Sequence, residues 1–175
     1  MTKKRILIVS DLLGVSCDIN KYKFFDGHEV DILSSPLLAK IETSELTKDE
    51  VHKKFTNGGI ETATNQILTQ KRKKIDLAIG FSIGGLLLWQ AISKGLIVTD
   101  LVCISSTRLR YEETKPKCNI LLFNGEKDPY APTDNWIKKL DVSTIKFPNQ
   151  EHEFYKEPKN LELILKKLTT LQSYN

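Results

Sequence analysis

The apolar residues of this chain fall into two kinds of run that alternate along it. Ile6-Leu7-Ile8-Val9 and the stretches 75–79, 100–104, 119–123 and 144–147 are short and rich in β-formers, and 28–33 alternates polar with apolar. Such lengths and compositions predict strands. Between them, 59–70, 86–96, 133–140 and 159–171 carry apolar residues at helical spacing. Asp11 and Gly14 end the first strand, and Gly27 precedes the second. The basic run Lys71-Arg72-Lys73-Lys74 closes the first helix, where cations complement the dipole. Strands alternating with helices, the strands being nearly all apolar, point to a parallel sheet covered on both faces. No repeat, low-complexity stretch or Pro/Gly/Ser linker interrupts the pattern, so residues 1–175 read as one α/β domain of about six strands.

Composition narrows the setting. The 175 residues are 40 % hydrophobic and 27 % charged, enough for a single ordinary core. The net charge of +4 is spread over scattered lysines, so neither a nucleic-acid nor a membrane partner is expected. Cys17, Cys103 and Cys118 have no CxxC spacing and cannot all pair. That favours reduced thiols and a cytoplasmic protein. The apolar run near the N-terminus is too short for a secretory signal, and no run reaches membrane-spanning length.

Candidate chemistry centres on Gly80-Phe81-Ser82-Ile83-Gly84-Gly85. This G-x-S-x-G pattern follows one strand candidate and precedes a helix, the placement a nucleophile elbow needs. Glycines at 80 and 84 remove side chains that would collide in so tight a turn, leaving Ser82 exposed at the end of the sheet. The following helix aims its free amides, that of Ile83 among them, at developing negative charge. A glycine-rich helix start with a capping serine is the plainer alternative.

A serine hydroxyl needs a base, and in such elbows the partners follow in the order serine, acid, histidine. Of His28, His52 and His152, only the last comes after Ser82, in a loop beyond the last strand candidate. His28 and His52 read as solvated residues. The acid is expected in Gly125-Glu126-Lys127-Asp128-Pro129, where Pro129 keeps Asp128 out of helical conformation. Asp128 is the first choice and Glu126 the runner-up. A second amide for an oxyanion is expected from the loop after the first strand, Ser10 to Ser16, at the Leu12 N–H.

These motifs together resemble the dienelactone hydrolase branch of the α/β hydrolases. Asp11-Leu12-Leu13-Gly14-Val15 is similar to that family's acidic-apolar-aromatic-Gly-Val loop, and Gly80 to Gly85 to its G-x-C-x-G-G elbow. Gly125 to Asp128 matches its Gly-x-x-Asp loop, and His152, Phe154 and Lys156 its His-x-Phe-x-Arg ending. The resemblance implies a minimal α/β-hydrolase fold, a three-layer sandwich without a lid domain. It also implies hydrolysis of small esters with no metal or organic cofactor. Two residues depart from the family: serine replaces cysteine as nucleophile, and Lys156 replaces a carboxylate-binding arginine, losing its bidentate fork.

No metal-ligand spacing and no G-x-x-x-x-G-K phosphate loop is present. Asn57-Gly58-Gly59 reads as a turn before a helix, and Trp89 and Trp136 as packing residues. Residues 105–117, too short for a lid domain, carry Arg108, Arg110 and Tyr111 near the expected site mouth. With Asp11 and Lys156, the two arginines are candidate substrate contacts. The reading is a Ser82–His152–Asp128 hydrolase of small carboxylic esters. A thioesterase or small serine peptidase with the same triad, or a binding protein that kept the fold and lost activity, is the alternative.

Overall fold

A computed structural model describes residues 3–14, 23–71 and 73–172. Six strands form one sheet: β1 (Arg5–Val9), β2 (Glu29–Leu33), β3 (Ile75–Phe81), β4 (Val98–Ile104), β5 (Asn119–Gly125) and β6 (Ser143–Phe147). All neighbours run parallel, in the order β2-β1-β3-β4-β5-β6. The helices are α1 (Ser35–Leu38), α2 (Lys48–Lys54), α3 (Ile60–Gln70), α4 (Ile83–Ser93), α5 (Asp134–Leu140) and α6 (Pro158–Gln172).

Continuous apolar strands arise because both faces of the sheet are covered. Leu7, Val9, Ile75 and Ala78 join a core with Leu38, Val51, Phe55, Ile67, Trp89 and Trp136 from α1 to α5 and the segments joining them. Their strand neighbours Ile6, Ile8, Leu77, Ile79 and Phe81 face the other way. There they pack on Phe25, Phe154 and the α6 residues Leu161, Ile164 and Leu165. Each buried side chain of leucine or phenylalanine size contributes roughly 1.5–3 kcal/mol, which is why both faces hold. The two tryptophans expected to pack do so against each other, with ring centroids 5.6 Å apart.

Every strand and helix read from the sequence is present, with ends shifted by a few residues. The largest shift is α4, which begins at Ile83, directly on the elbow. Two helices were not expected, α1 and α2. The second carried a readable sign: Thr47 and Glu50 form a reciprocal capping box. Asn57 and Gly58 depart from helical angles and break the chain between α2 and α3, as a turn there should. Lys71 accompanies the end of α3 and pairs with Asp31 at 2.7 Å. Val15, Ser16, Cys17 and Arg72 lie outside the described residues.

Strand order locates the site. The chain leaves β1 for β2 on one side, then crosses back to β3 on the other. The carboxyl ends of β1 and β3 therefore flank the point where the winding reverses, where open parallel sheets leave a crevice. The loops Ser10–Gly14 and Ser82–Gly85 sit at those ends. Among the described residues no helix is long and apolar enough to cross a membrane.

Candidate active site

The turn from β3 into α4 is sharp enough to force Ser82 to φ 49°, ψ −117°, a region that non-glycine residues rarely occupy. Its amide is held by the Ile104 carbonyl of β4 at 2.9 Å. Close approach explains the flanking glycines: a side chain at Gly80 would run into Gly85, and one at Gly84 into the carbonyls of Val9 and Ser10. Elbow and β1 loop are thus packed backbone to backbone.

Three loops converge on this serine. Ser82 Oγ lies 3.1 Å from His152 Nε2, and His152 Nδ1 lies 2.9 Å from Asp128 Oδ2. Asp128 is placed by its own turn: its amide donates to the Gly125 carbonyl, and its Oδ1 accepts the Tyr130 N–H at 2.8 Å. The acid and histidine loops meet because the backbone at Gly125 touches the carbonyls of Gln150 and Glu151, where any side chain would collide. Lys127 N–H to the Gln150 carbonyl, 2.8 Å, ties the loops further. The runner-up Glu126 points elsewhere, accepting the Asn149 N–H at 3.0 Å.

The Asp128 side chain is 1 % exposed and that of His152 13 %. Burial of this pair in low dielectric strengthens their attraction. The Tyr130 ring stands edge-on to the imidazole, centroids 5.1 Å apart, and walls it from one side. Nothing in the sequence pattern singled out Tyr130, since its role depends on the loop's path.

Ser82 opens into a cavity of about 400 Å³. Ile83, Asp11 and Leu12 line it beside the serine, and Arg108, Arg110, Tyr111 and Lys156 line it farther out. His152 lines the same space, so of the first-choice candidates from the sequence only Asp128 lies behind its wall, in contact with the imidazole. Asp11 lines it with a buried carboxylate already occupied: Oδ1 accepts the Leu13 N–H at 3.0 Å and Oδ2 the Tyr155 hydroxyl at 3.1 Å. Arg110 donates to the Tyr130 carbonyl at 2.8 Å, and both guanidinium groups lie about 5 Å from the Tyr111 ring centre. Lys156 is shared, 3.0 Å from Glu153 and 3.9 Å from Asp11.

One wall was missed. α2 contributes Lys48, Asp49 and His52 to the cavity, so His52 is exposed yet faces the site rather than open solvent alone. Lys48 reaches Glu153, the residue after His152, at 2.6 Å. Lys48 and then Lys156 hydrogen-bond that carboxylate and push its pKa down to about 2. The capping box was the available signal for the helix, but not for where it packs. Between β4 and β5 only a single 3₁₀ turn (Leu109–Tyr111) intervenes, and no lid domain is inserted.

Cys103 is buried, and burial pushes its thiol up to about 12, away from reactivity. Among the described residues no three His, Cys, Asp or Glu side chains gather as a metal site would require.

No protein-family model matches the chain. It is 25 % identical over 147 residues to the uncharacterized protein YczH of Bacillus subtilis (strain 168), covering 79 % of this chain and 71 % of that one. Among solved structures, a monoacylglycerol lipase from Paleococcus ferrophilus superposes with a TM-score of 0.66 at 14 % identity, over 97 % of this chain and 95 % of that one. A dienelactone hydrolase-like promiscuous phosphotriesterase from metagenomic libraries superposes with a TM-score of 0.55 at 15 % identity, over 88 % and 74 %. The strand order, the strand–turn–helix elbow and these likenesses agree: the chain has a minimal α/β-hydrolase fold, in three layers around six parallel strands.

Proposed function

We propose that the protein is a serine hydrolase that cleaves small carboxylic esters through an acyl-enzyme. The observation that carries this reading is the relay Asp128–His152–Ser82, at 2.9 and 3.1 Å, with the serine held at positive φ and lining the cavity.

In this reading His152 Nδ1–H donates to Asp128, which leaves Nε2 free to accept the Ser82 proton. Ser82 Oγ attacks the ester carbonyl carbon as that proton moves to Nε2. The carbonyl oxygen becomes an oxyanion, held by the backbone N–H groups of Ile83 and Leu12. Collapse breaks the bond to the alkoxy group, which leaves as an alcohol carrying the proton from Nε2. Water then attacks the acyl-serine, losing its proton to His152 Nε2, and the acyl–Oγ bond breaks as Ser82 Oγ takes that proton back, which releases the acid. Only the neutral imidazole can accept the serine proton. Arg108 and Arg110 are assigned to a negatively charged part of the substrate, with Lys156 in support. A thioester would follow the same course, with a thiol leaving.

The test is labelling with a fluorophosphonate probe, alongside hydrolysis of p-nitrophenyl acetate. Native protein should label at one site. Ser82→Ala should abolish labelling and lower kcat by about 10³-fold or more without unfolding the chain. A native protein that neither labels nor turns over esters, thioesters or peptides would overturn the reading. So would a Ser82→Ala variant that keeps most of the activity.

A further inference from the structure

The amide of Leu12 is useful only if the loop after β1 holds it in one direction, and that loop is short of regular structure. Ser10 anchors one end, accepting the Ser35 N–H on its Oγ at 2.8 Å while its carbonyl accepts the Ser35 hydroxyl at 2.5 Å. Beyond it the chain turns on Asp11. Its carboxylate takes the Leu13 N–H at 3.0 Å, and its carbonyl takes the Gly14 N–H at 3.2 Å. The turn thus consumes the two amides after Leu12 and leaves that of Leu12 outside its own bonds.

The direction of the turn depends on how the Asp11 carboxylate is held. Its side chain is 4 % exposed, and a carboxylate so buried must be matched by donors. Tyr155 supplies one, its hydroxyl donating to Oδ2 at 3.1 Å. Tyr155 lies three residues after His152, and its ring packs on Phe81, the residue before Ser82, with centroids 5.3 Å apart. One buried phenol therefore touches the strand that ends in the serine and the carboxylate that shapes the β1 loop. Burial, and then the Asp11 charge, push this phenol well above its ordinary pKa, so it stays a donor throughout the working range.

We propose that Tyr155 is a positioning residue: through Asp11 it orients the loop that presents the Leu12 amide to the oxyanion. This rests on the serine-hydrolase reading above. Losing the hydroxyl frees the carboxylate to turn toward Lys156, 3.9 Å away. The Asp11–Leu13 bond and the Leu12 amide then lose their aim. Stabilisation made only in the transition state suffers, while ground-state binding does not.

Tyr155→Phe keeps the ring and removes the donor. With p-nitrophenyl acetate, kcat should fall about tenfold or more while KM stays within about twofold. A trifluoromethyl ketone, whose serine adduct carries an oxyanion, should lose affinity by a like factor. The pH-rate profile should keep its position, because the Asp128–His152 pair is untouched. Asp11→Asn should lose less of kcat than Asp11→Ala, since its amide oxygen still accepts from Leu13 and its nitrogen can donate to the phenol oxygen. Asp11→Ala should lose as much as Tyr155→Phe. Wild-type kcat in Tyr155→Phe, a loss confined to KM, or unchanged ketone affinity would overturn the proposal. If Tyr155→Phe does not fold, the Asp11 pair decides: equal activity of Asp11→Asn and Asp11→Ala overturns it. Fluorophosphonate labelling of the native protein separates the two failures. A native protein that labels, with a Tyr155→Phe variant at full kcat, loses the positioning role alone. A native protein that neither labels nor hydrolyses loses the hydrolase reading and this role together.

Discussion

The elbow and the α2 wall border the same cavity and are held there by different physics. Ser82 is fixed by backbone: a parallel strand, a positive-φ turn, and glycines that let α4 lie against the carbonyls of Val9 and Ser10. Nothing in that arrangement is long, charged or exposed. α2 is fixed partly by Val51 and Phe55 in the core, and at the site by side chains, chiefly Lys48 to Glu153 across the cavity. Those two groups are about half exposed, at 56 % and 43 %. Exposed pairs are screened by salt and contribute little each. The lesson is a division of labour: the bonds that hold Ser82 are rigid and buried, and those that shape one side of the cavity are soft.

Breaking the relay should have the largest effect. Asp128→Asn keeps size and shape, yet an amide neither holds the productive tautomer nor offsets the imidazolium charge. Its kcat on p-nitrophenyl acetate should fall about 10³-fold or more with a nearly unchanged thermal midpoint. Equal activity would mean that the buried carboxylate is structural.

Next comes the elbow's packing. Gly84→Ala sets a methyl group against two backbone carbonyls that cannot move independently. Denaturant unfolding should show a loss of about 3 kcal/mol, and activity should fall with it. A stable, active variant would show the elbow to be softer than the comparison claims.

Arg110→Ala tests the outer cavity and should be milder. It should raise KM about tenfold for an ester bearing a carboxylate while leaving p-nitrophenyl acetate nearly unaffected. Equal effects on both substrates would remove the arginine from substrate recognition.

The smallest effect belongs to the α2 contact. Glu153 has its pKa lowered from an ordinary 4.5 to about 2, so its pairing favours the fold above pH 4.5 and is lost as pH falls toward 2. Glu153→Gln should cost about 0.5 kcal/mol at neutral pH and low salt, and nothing near pH 2 or in high salt. A larger, salt-independent loss would make the wall as rigid as the elbow.

The same contrast governs what could be read in advance. The inner strands β1, β3, β4 and β5 were legible because burial on both faces writes itself as mostly apolar runs, and the edge strand β2 because it alternates polar with apolar. The elbow was legible because its geometry tolerates only glycine at fixed offsets. Asp128 and His152 were narrowed by chain order and by Pro129; in the fold the Asp128 carboxylate meets His152, and that of Glu126 meets the Asn149 amide. α2 escaped because seven residues with a single strongly buried position, Val51, leave little apolar period. Tyr130 and Tyr155 escaped for another reason. Tyr155 meets Asp11 and Phe81, and Tyr130 meets Asp128 and His152, all distant in the chain or across a turn, and no local pattern records such contacts.

By itself, then, the order of residues determined the six strands and the four helices α3 to α6, their parallel arrangement and the identity of the serine, acid and histidine candidates. These depend on local period, local backbone freedom and sequence order. Only the tertiary structure decided that His52 faces the cavity, that Asp11 is buried and bonded by Tyr155, and that Lys48 reaches across to Glu153. Those outcomes turn on which loops the sheet's winding brings to the ends of β1 and β3, a long-range property set by the packing of whole elements.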